Sequence, residues 1–215
     1  MNEVIVVNPD NVGWIESRLD SIQMDYLWKC IDNKKGDERA KLAGNISESY
    51  TLEDKDGWFS SNVLGVLLDE HQKAFGNIAG DIPTTKSHPF CLDSFWVNYQ
   101  KKHEFNPLHN HGGVYSFVIW MKIPFDIEDQ INLPNSKGTN MPVNSMFEFH
   151  YLDIFGRFRM KRYGLSGKDE GRILFFPSRL HHQVYPFYNC DEDRISISGN
   201  IKLDSSKTLD IPLTI

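Results

Sequence analysis

The spacing of apolar positions changes character once along this chain. Upstream of residue 89 it is mostly helical: Ile15, Leu19, Ile22, Tyr26 and Cys30 recur three or four residues apart, which predicts an amphipathic helix stopping near Asn33–Gly36. A β-branched run, Val4–Val7, precedes it, with a turn and helix cap at Asn8-Pro9-Asp10-Asn11. A polar stretch to Trp58 reads as loop and short extended pieces. Ser60 and Ser61 then offer caps for a second helix that carries Leu64, Leu67, His71 and Ala74 on one face and closes at Gly76. From Phe90 the pattern becomes short alternating or aromatic-rich runs broken by Gly, Pro, Asn and Asp. Eight strands are predicted: 94–100, 106–111, 115–123, 145–153, 157–163, 172–176, 183–188 and 194–203. Two helices followed by eight short strands imply a mainly β (α+β) fold, a jelly roll or similar double sheet with helices on one outer face. The expected organisation is a single domain over 1–215, with 1–89 as helical support and 90–205 as the β core. Segment 126–144, rich in breaker residues, is the expected excursion over the site.

Composition narrows the function classes. The 215 residues carry 29 acidic and 23 basic side chains, a formal net charge of −6. That balance argues against general nucleic-acid binding, which needs clustered Lys and Arg. The sequence has no 18-residue apolar run and Met1-Asn2-Glu3 lacks a basic leader, so a cytoplasmic location without membrane association is expected. Cys30, Cys91 and Cys190, odd in number and widely spaced, read as reduced thiols. The sequence leaves oligomeric state open.

Candidate chemistry lies in the histidines. Pro107-Leu108-His109-Asn110-His111-Gly112-Gly113 puts two imidazoles two residues apart, on the same side of an extended strand. Phe175-Phe176-Pro177-Ser178-Arg179-Leu180-His181-His182 supplies a third from a distant strand. Imidazole suits Fe, Zn, Cu and Ni alike, so spacing alone names no metal. Further on, Arg194-Ile195-Ser196-Ile197-Ser198 alternates so that Arg194, Ser196 and Ser198 share a face, a good carboxylate receptor. His71, His88, His103 and His150 read as structural, and His181 as pointing away from the strand face of His182.

Together, His-x-His, Phe-Pro-Ser-x-Leu-x-His-x-Val-x-Pro and Arg-Ile-Ser-Ile-Ser resemble the Fe(II)/2-oxoglutarate-dependent oxygenases, in particular their prolyl-hydroxylase-like group. Trp96-Val97-Asn98-Tyr99 and the stretch Tyr115–Pro124 resemble the strands flanking that motif. The likeness spans roughly 94–200. It implies a double-stranded β-helix and a dioxygenase that uses Fe(II), 2-oxoglutarate and O2. Such an enzyme hydroxylates a small-molecule or peptide substrate, here an amino-acid or peptidyl group with prolyl among the options, and releases succinate and CO2. By position, His109 and His182 are the metal ligands shared with the family. His111 stands where the family carries Asp or Glu. Arg194 with Ser196 would hold the distal carboxylate of 2-oxoglutarate, and Tyr99 and Trp120 are further expected cosubstrate contacts. Two alternatives stay open: a cupin-type three-His metalloenzyme without 2-oxoglutarate, weakened by the lack of glutamate at 113–118, and a noncatalytic jelly-roll binding protein.

Overall fold

The computed structural model describes residues 5–6 and 11–209, so half of the Val4–Val7 run and most of the turn after it lie outside the described residues. In chain order the elements are β1 (Ile15–Arg18), α1 (Ser21–Asp32), β2 (Glu48–Thr51), α2 (Gly65–Phe75), β3 (Phe90–Gln100), β4 (Asn106–His109) and β5 (Tyr115–Lys122). There follow α3 (Ile127–Ile131), β6 (Phe147–Leu152), β7 (Phe158–Tyr163), β8 (Arg172–Pro177), β9 (His181–Val184) and β10 (Arg194–Leu203). They form two antiparallel sheets, one of six strands in the order β1-β8-β5-β10-β3-β2 and one of four in the order β4-β9-β6-β7. This is the expected jelly roll. Among the described residues, no helix is long and apolar enough to cross a membrane.

The first predicted helix is shorter than its apolar repeat suggests. Asp20 is extended (φ −80°, ψ 176°) and its carboxylate accepts the Gln23 N–H, while the Gln23 side chain accepts the Asp20 N–H. This capping box prevents α1 from starting before Ser21. Ile15 belongs instead to β1, opposite Phe175 of β8, so the N-terminal part adds edge strands β1 and β2 as well as helices. Before α2, neither Ser60 nor Ser61 is the capping acceptor. The Asp54 carboxylate accepts the N–H groups of Phe59 and Ser60 and the Ser60 hydroxyl, ahead of a wide-turned stretch at Ser60–Leu64. Gly76 ends α2 at φ +77°, as its position predicts.

The six-stranded sheet separates two packing environments. Its outer face presents Phe95, Val97, Tyr115, Phe117, Phe175 and Ile197 to Leu27, Ile31, Phe59, Val63 and Leu67 of the helical segments. Its inner face presents Val118, Trp120, Leu174 and Phe176 to Phe147, Phe149 and Tyr163 of the smaller sheet. Strand alternation turns Trp96, Asn98 and Gln100 of β3 and Arg194, Ser196 and Ser198 of β10 inward, where the sheets part and enclose a cavity.

Candidate metal centre

The cavity is about 300 Å³ and opens between the sheets. On its small-sheet wall, β4 and β9 pair so that His109 stands directly opposite His182. His111 follows two residues later, its N–H donating to the Ser178 carbonyl at 2.9 Å. Gly113 then turns the chain at φ +90°, where a Cβ would lie 2.7 Å from the Ile201 carbonyl oxygen, so both conformation and space require glycine. One ring nitrogen from each of His109, His111 and His182 falls within 4.8 Å of the others.

Hydrogen bonding sets the ring orientations. His109 Nδ1 lies 2.7 Å from the Pro107 carbonyl and His182 Nδ1 lies 3.0 Å from the Leu180 carbonyl. A carbonyl only accepts, so both rings carry their proton on Nδ1 and direct a bare Nε2 lone pair inward. His111 Nε2 sits 3.2 Å from His182 Nε2. Without a cation, that contact is favourable only with the His111 proton on Nε2; a metal ion would replace the proton there. Burial pushes all three imidazoles toward neutrality: His109 is lowered, His111 falls to about 4, and His182, with His109 and His111 as added charge neighbours, is held well below the ordinary value. Three neutral, convergent imidazole lone pairs fit a borderline divalent cation such as Fe(II). Among the described residues no carboxylate joins this cluster, and His111 supplies its third nitrogen donor.

Across the cavity Arg194 is almost completely buried, at 1% exposure. Its Nε and Nη2 donate to Gln100 Oε1 at 3.2 and 2.6 Å, its Nη1 to the Ser145 carbonyl at 2.6 Å, and Nη2 again to the Tyr185 carbonyl at 3.3 Å. Every one of these acceptors is neutral. The rings of Phe125 and Phe187 flank the guanidinium, 5.8 and 5.6 Å away. Burial alone lowers its pKa to about 9, the sign of a charge without a counter-charge.

Ser196 and Trp120 line the same cavity, but Tyr99 does not. It lies on the other face of β3, edge-on to Tyr50 and under the Lys34 ammonium. The inward residues of that strand are Trp96, Asn98 and Gln100, none of which the sequence singled out for the site. Segment 126–144 supplies no lining residue. The wall at the mouth is Glu38, Lys41, Leu42, Ala43 and Ile46, pinned where Gly44 packs on β4: a Cβ at Gly44 would meet Asn106 Oδ1 at 2.0 Å. The residues just flanking 126–144 act from behind, Phe125 through its ring and Ser145 through its carbonyl, the latter held at φ +64°. The remaining histidines lie outside the cavity. His71 is buried under α2, His88 bonds the Lys207 carbonyl, His103 meets Tyr188 edge-on, His150 pairs with Glu148, and His181 faces Asn110.

Residues 94–200 match the family model described as "Putative 2OG-Fe(II) oxygenase". Among solved structures, the chain is similar to a viral collagen prolyl hydroxylase from Paramecium bursaria Chlorella virus-1, solved with 2-oxoglutarate. The TM-score is 0.50 at 11% identity, covering 87% of this chain and 94% of that one. A prolyl-4-hydroxylase of Pseudomonas putida aligns with a TM-score of 0.48 at 13% identity, covering 90% and 94%. No curated protein sequence matches. The first of these likenesses bears on the fold; the family match covers the stretch that holds all three histidines and Arg194.

Proposed function

We propose that this chain, which belongs to the Fe(II)/2-oxoglutarate-dependent oxygenases, is a hydroxylase of amino-acid or peptidyl side chains that holds Fe(II) with His109, His111 and His182 and seats 2-oxoglutarate on Arg194. Its cofactor set is that of the family: Fe(II), 2-oxoglutarate and O2. Bound iron supplies the dioxygen chemistry, in which one oxygen atom goes to succinate with loss of CO2 and the other to the substrate as hydroxyl.

The observation that carries this reading is the uncompensated guanidinium. Arg194 is buried with only carbonyl acceptors, in the same cavity as three converging lone pairs. A small dianion with an acid group at each end satisfies both walls: one carboxylate takes the guanidinium's charge, and the other end meets the imidazole cluster. Ser196, on the same inward face, adds a hydroxyl beside Arg194. Trp120, buried against Phe147, forms an apolar wall that keeps water from the bound acid. At about 300 Å³ the cavity is at the small end for ligand sites, so a cosubstrate and one side chain fill it. The substrate's target group enters past Leu42, Ala43 and Ile46.

Anaerobic addition of Fe(II) and 2-oxoglutarate should produce a weak visible metal-to-ligand absorption band that is lost in Arg194→Met. Succinate formation in air then separates turnover from binding. A three-His metalloenzyme that ignores 2-oxoglutarate would show neither the band nor succinate.

A further inference from the structure

Arg194 and Gln100 stand directly opposite one another on β10 and β3. Cross-strand neighbours of opposite charge stabilise a sheet, and for a buried arginine the ordinary partner is a carboxylate. Here the partner is the uncharged amide of the same shape. Gln100 is 5% exposed and its single Oε1 takes two guanidinium N–H groups, as a glutamate oxygen would. Its Nε2 donates to the Glu104 carbonyl at 2.5 Å, which fixes which end of the amide faces Arg194. The nearby Glu104 carboxylate is turned away, accepting the backbone N–H groups of Ser47 and Lys101. The surroundings therefore orient the guanidinium fully while leaving its charge intact.

We propose that Gln100 is a specificity-determining residue for the cosubstrate: it aligns the Arg194 fork with a neutral acceptor so that the positive charge stays available to the distal carboxylate of the keto acid. The inference rests on the 2-oxoglutarate reading given above. Glutamate at this position would keep the geometry but supply the counter-charge internally, and the second carboxylate of 2-oxoglutarate would gain nothing by entering. Local sheet stability is given up for binding, the pattern expected where a site breaks a local rule.

The test compares two keto acids of equal carbon number, 2-oxoglutarate and 2-oxovalerate, which lacks the distal carboxylate. Each is titrated anaerobically into Fe(II)-loaded wild type, Gln100→Glu, Gln100→Met and Arg194→Met, and read by the visible band and by calorimetry. Wild type should prefer 2-oxoglutarate by a factor on the order of 10–100, the range of a charge-assisted hydrogen bond. Gln100→Met should bind 2-oxoglutarate several-fold more weakly, from lost alignment, leave 2-oxovalerate near the wild-type affinity, and keep most of the preference. Gln100→Glu should bind 2-oxovalerate as Gln100→Met does, showing an intact fold and metal centre, and lose the preference to within about threefold. A Gln100→Glu protein that retains the wild-type preference overturns the proposal. So does a Gln100→Met protein that loses it completely, because alignment alone would then account for the effect; this arm decides the matter even if Gln100→Glu fails to fold. If wild type shows no preference, or Arg194→Met keeps it, the assignment of Arg194 to the cosubstrate itself fails.

Discussion

Metal loading should stabilise this protein by an amount that depends on His111. Without a cation the His111 and His182 Nε2 atoms, 3.2 Å apart, can share one proton in a single neutral hydrogen bond, worth about 1 kcal/mol. A divalent ion held by three imidazoles stabilises the native state by RT ln(1 + [L]/Kd), or about 2.7 kcal/mol at one hundred times the dissociation constant. For a chain of this size that corresponds to a rise of roughly 5–11 °C in melting temperature. His111→Ala leaves two ligands. If affinity falls about 100-fold, the same metal concentration yields only about 0.4 kcal/mol, a rise of roughly 1–2 °C. The metal-free variant should lose no more than about 1 kcal/mol, because the group removed makes one replaceable hydrogen bond at a cavity wall. His111→Asp supplies a carboxylate as the third donor and should restore most of the metal-induced shift. Anaerobic differential scanning fluorimetry or calorimetry with Fe(II), and with Co(II) as an air-stable stand-in, measures all four quantities. The reasoning fails if wild type shows no shift, or if His111→Ala shifts as far as wild type does.

Other consequences concern the scaffold. Glu148 is wholly buried on β6 and accepts from Gln183, Arg162, Tyr185 and His150. Burial is the largest single influence on its carboxyl and raises it, yet these donors and the Arg162 charge together hold it below the usual range. Its ionised form therefore contributes stability that is present above the unfolded value near ~4.3 and is lost as pH falls below it. Glu148→Gln should cost about 2 kcal/mol at pH 7, since Arg162 is partly exposed and finds water, and should flatten the acid limb of the stability curve in urea titrations. His71 is fully buried, with Nε2 3.1 Å from the Gly13 carbonyl, and burial lowers its pKa. Its contribution is present above the unfolded value of ~6.5 and declines as pH drops below that, by at most about 1.4 kcal/mol per pH unit. The His71→Gln protein should show a correspondingly shallower loss between pH 7 and 5.5; equal slopes in the two proteins would refute the assignment. Gly199→Ala on β10 would set a Cβ 2.5 Å from the Phe117 ring and 2.7 Å from the Ser94 carbonyl, and should lower the unfolding free energy by about 1–3 kcal/mol in denaturant titrations.

What could be read from the sequence, and what could not, follows from how local each signal is. The eight strands of the β core are present because each has its own alternation or aromatic run, and β10 matches residue for residue. The strand expected at 183–188 ends instead at Val184. Pro186 has no N–H for a ladder, and beyond the Phe147–Val184 pair only irregular bonds continue, from Tyr185 N–H to the Met146 carbonyl and from Ser145 N–H to the Pro186 carbonyl. The three imidazoles were legible because two lie in one tight motif and the third faces the first across a strand pair. Tyr99 misled because Phe95, Trp96, Val97 and Asn98 are all buried, so both faces of β3 are covered and alternation no longer marks the inner one. The first helix misled in the opposite way: a four-residue spacing from Ile15 to Leu19 is silent about the Asp20 cap lying beyond it.

The mouth of the cavity was invisible for a deeper reason. Residues 38–46 carry no period of their own; they are held by the close approach of Gly44 to β4 and by the buried Ile46, contacts made between stretches some sixty residues apart. His182 sits on β9, paired with β6 over four residues, and Arg194 on β10, paired with β3 along its length; such positions tolerate little drift. The wall formed by residues 38–46 depends on one glycine and a few apolar contacts, so it can be rebuilt without disturbing the residues proposed to hold iron and 2-oxoglutarate. Gly44→Val should therefore open the mouth while the anaerobic Fe(II)/2-oxoglutarate band persists. Simultaneous loss of that band would show that the mouth and the metal centre are one cooperative unit.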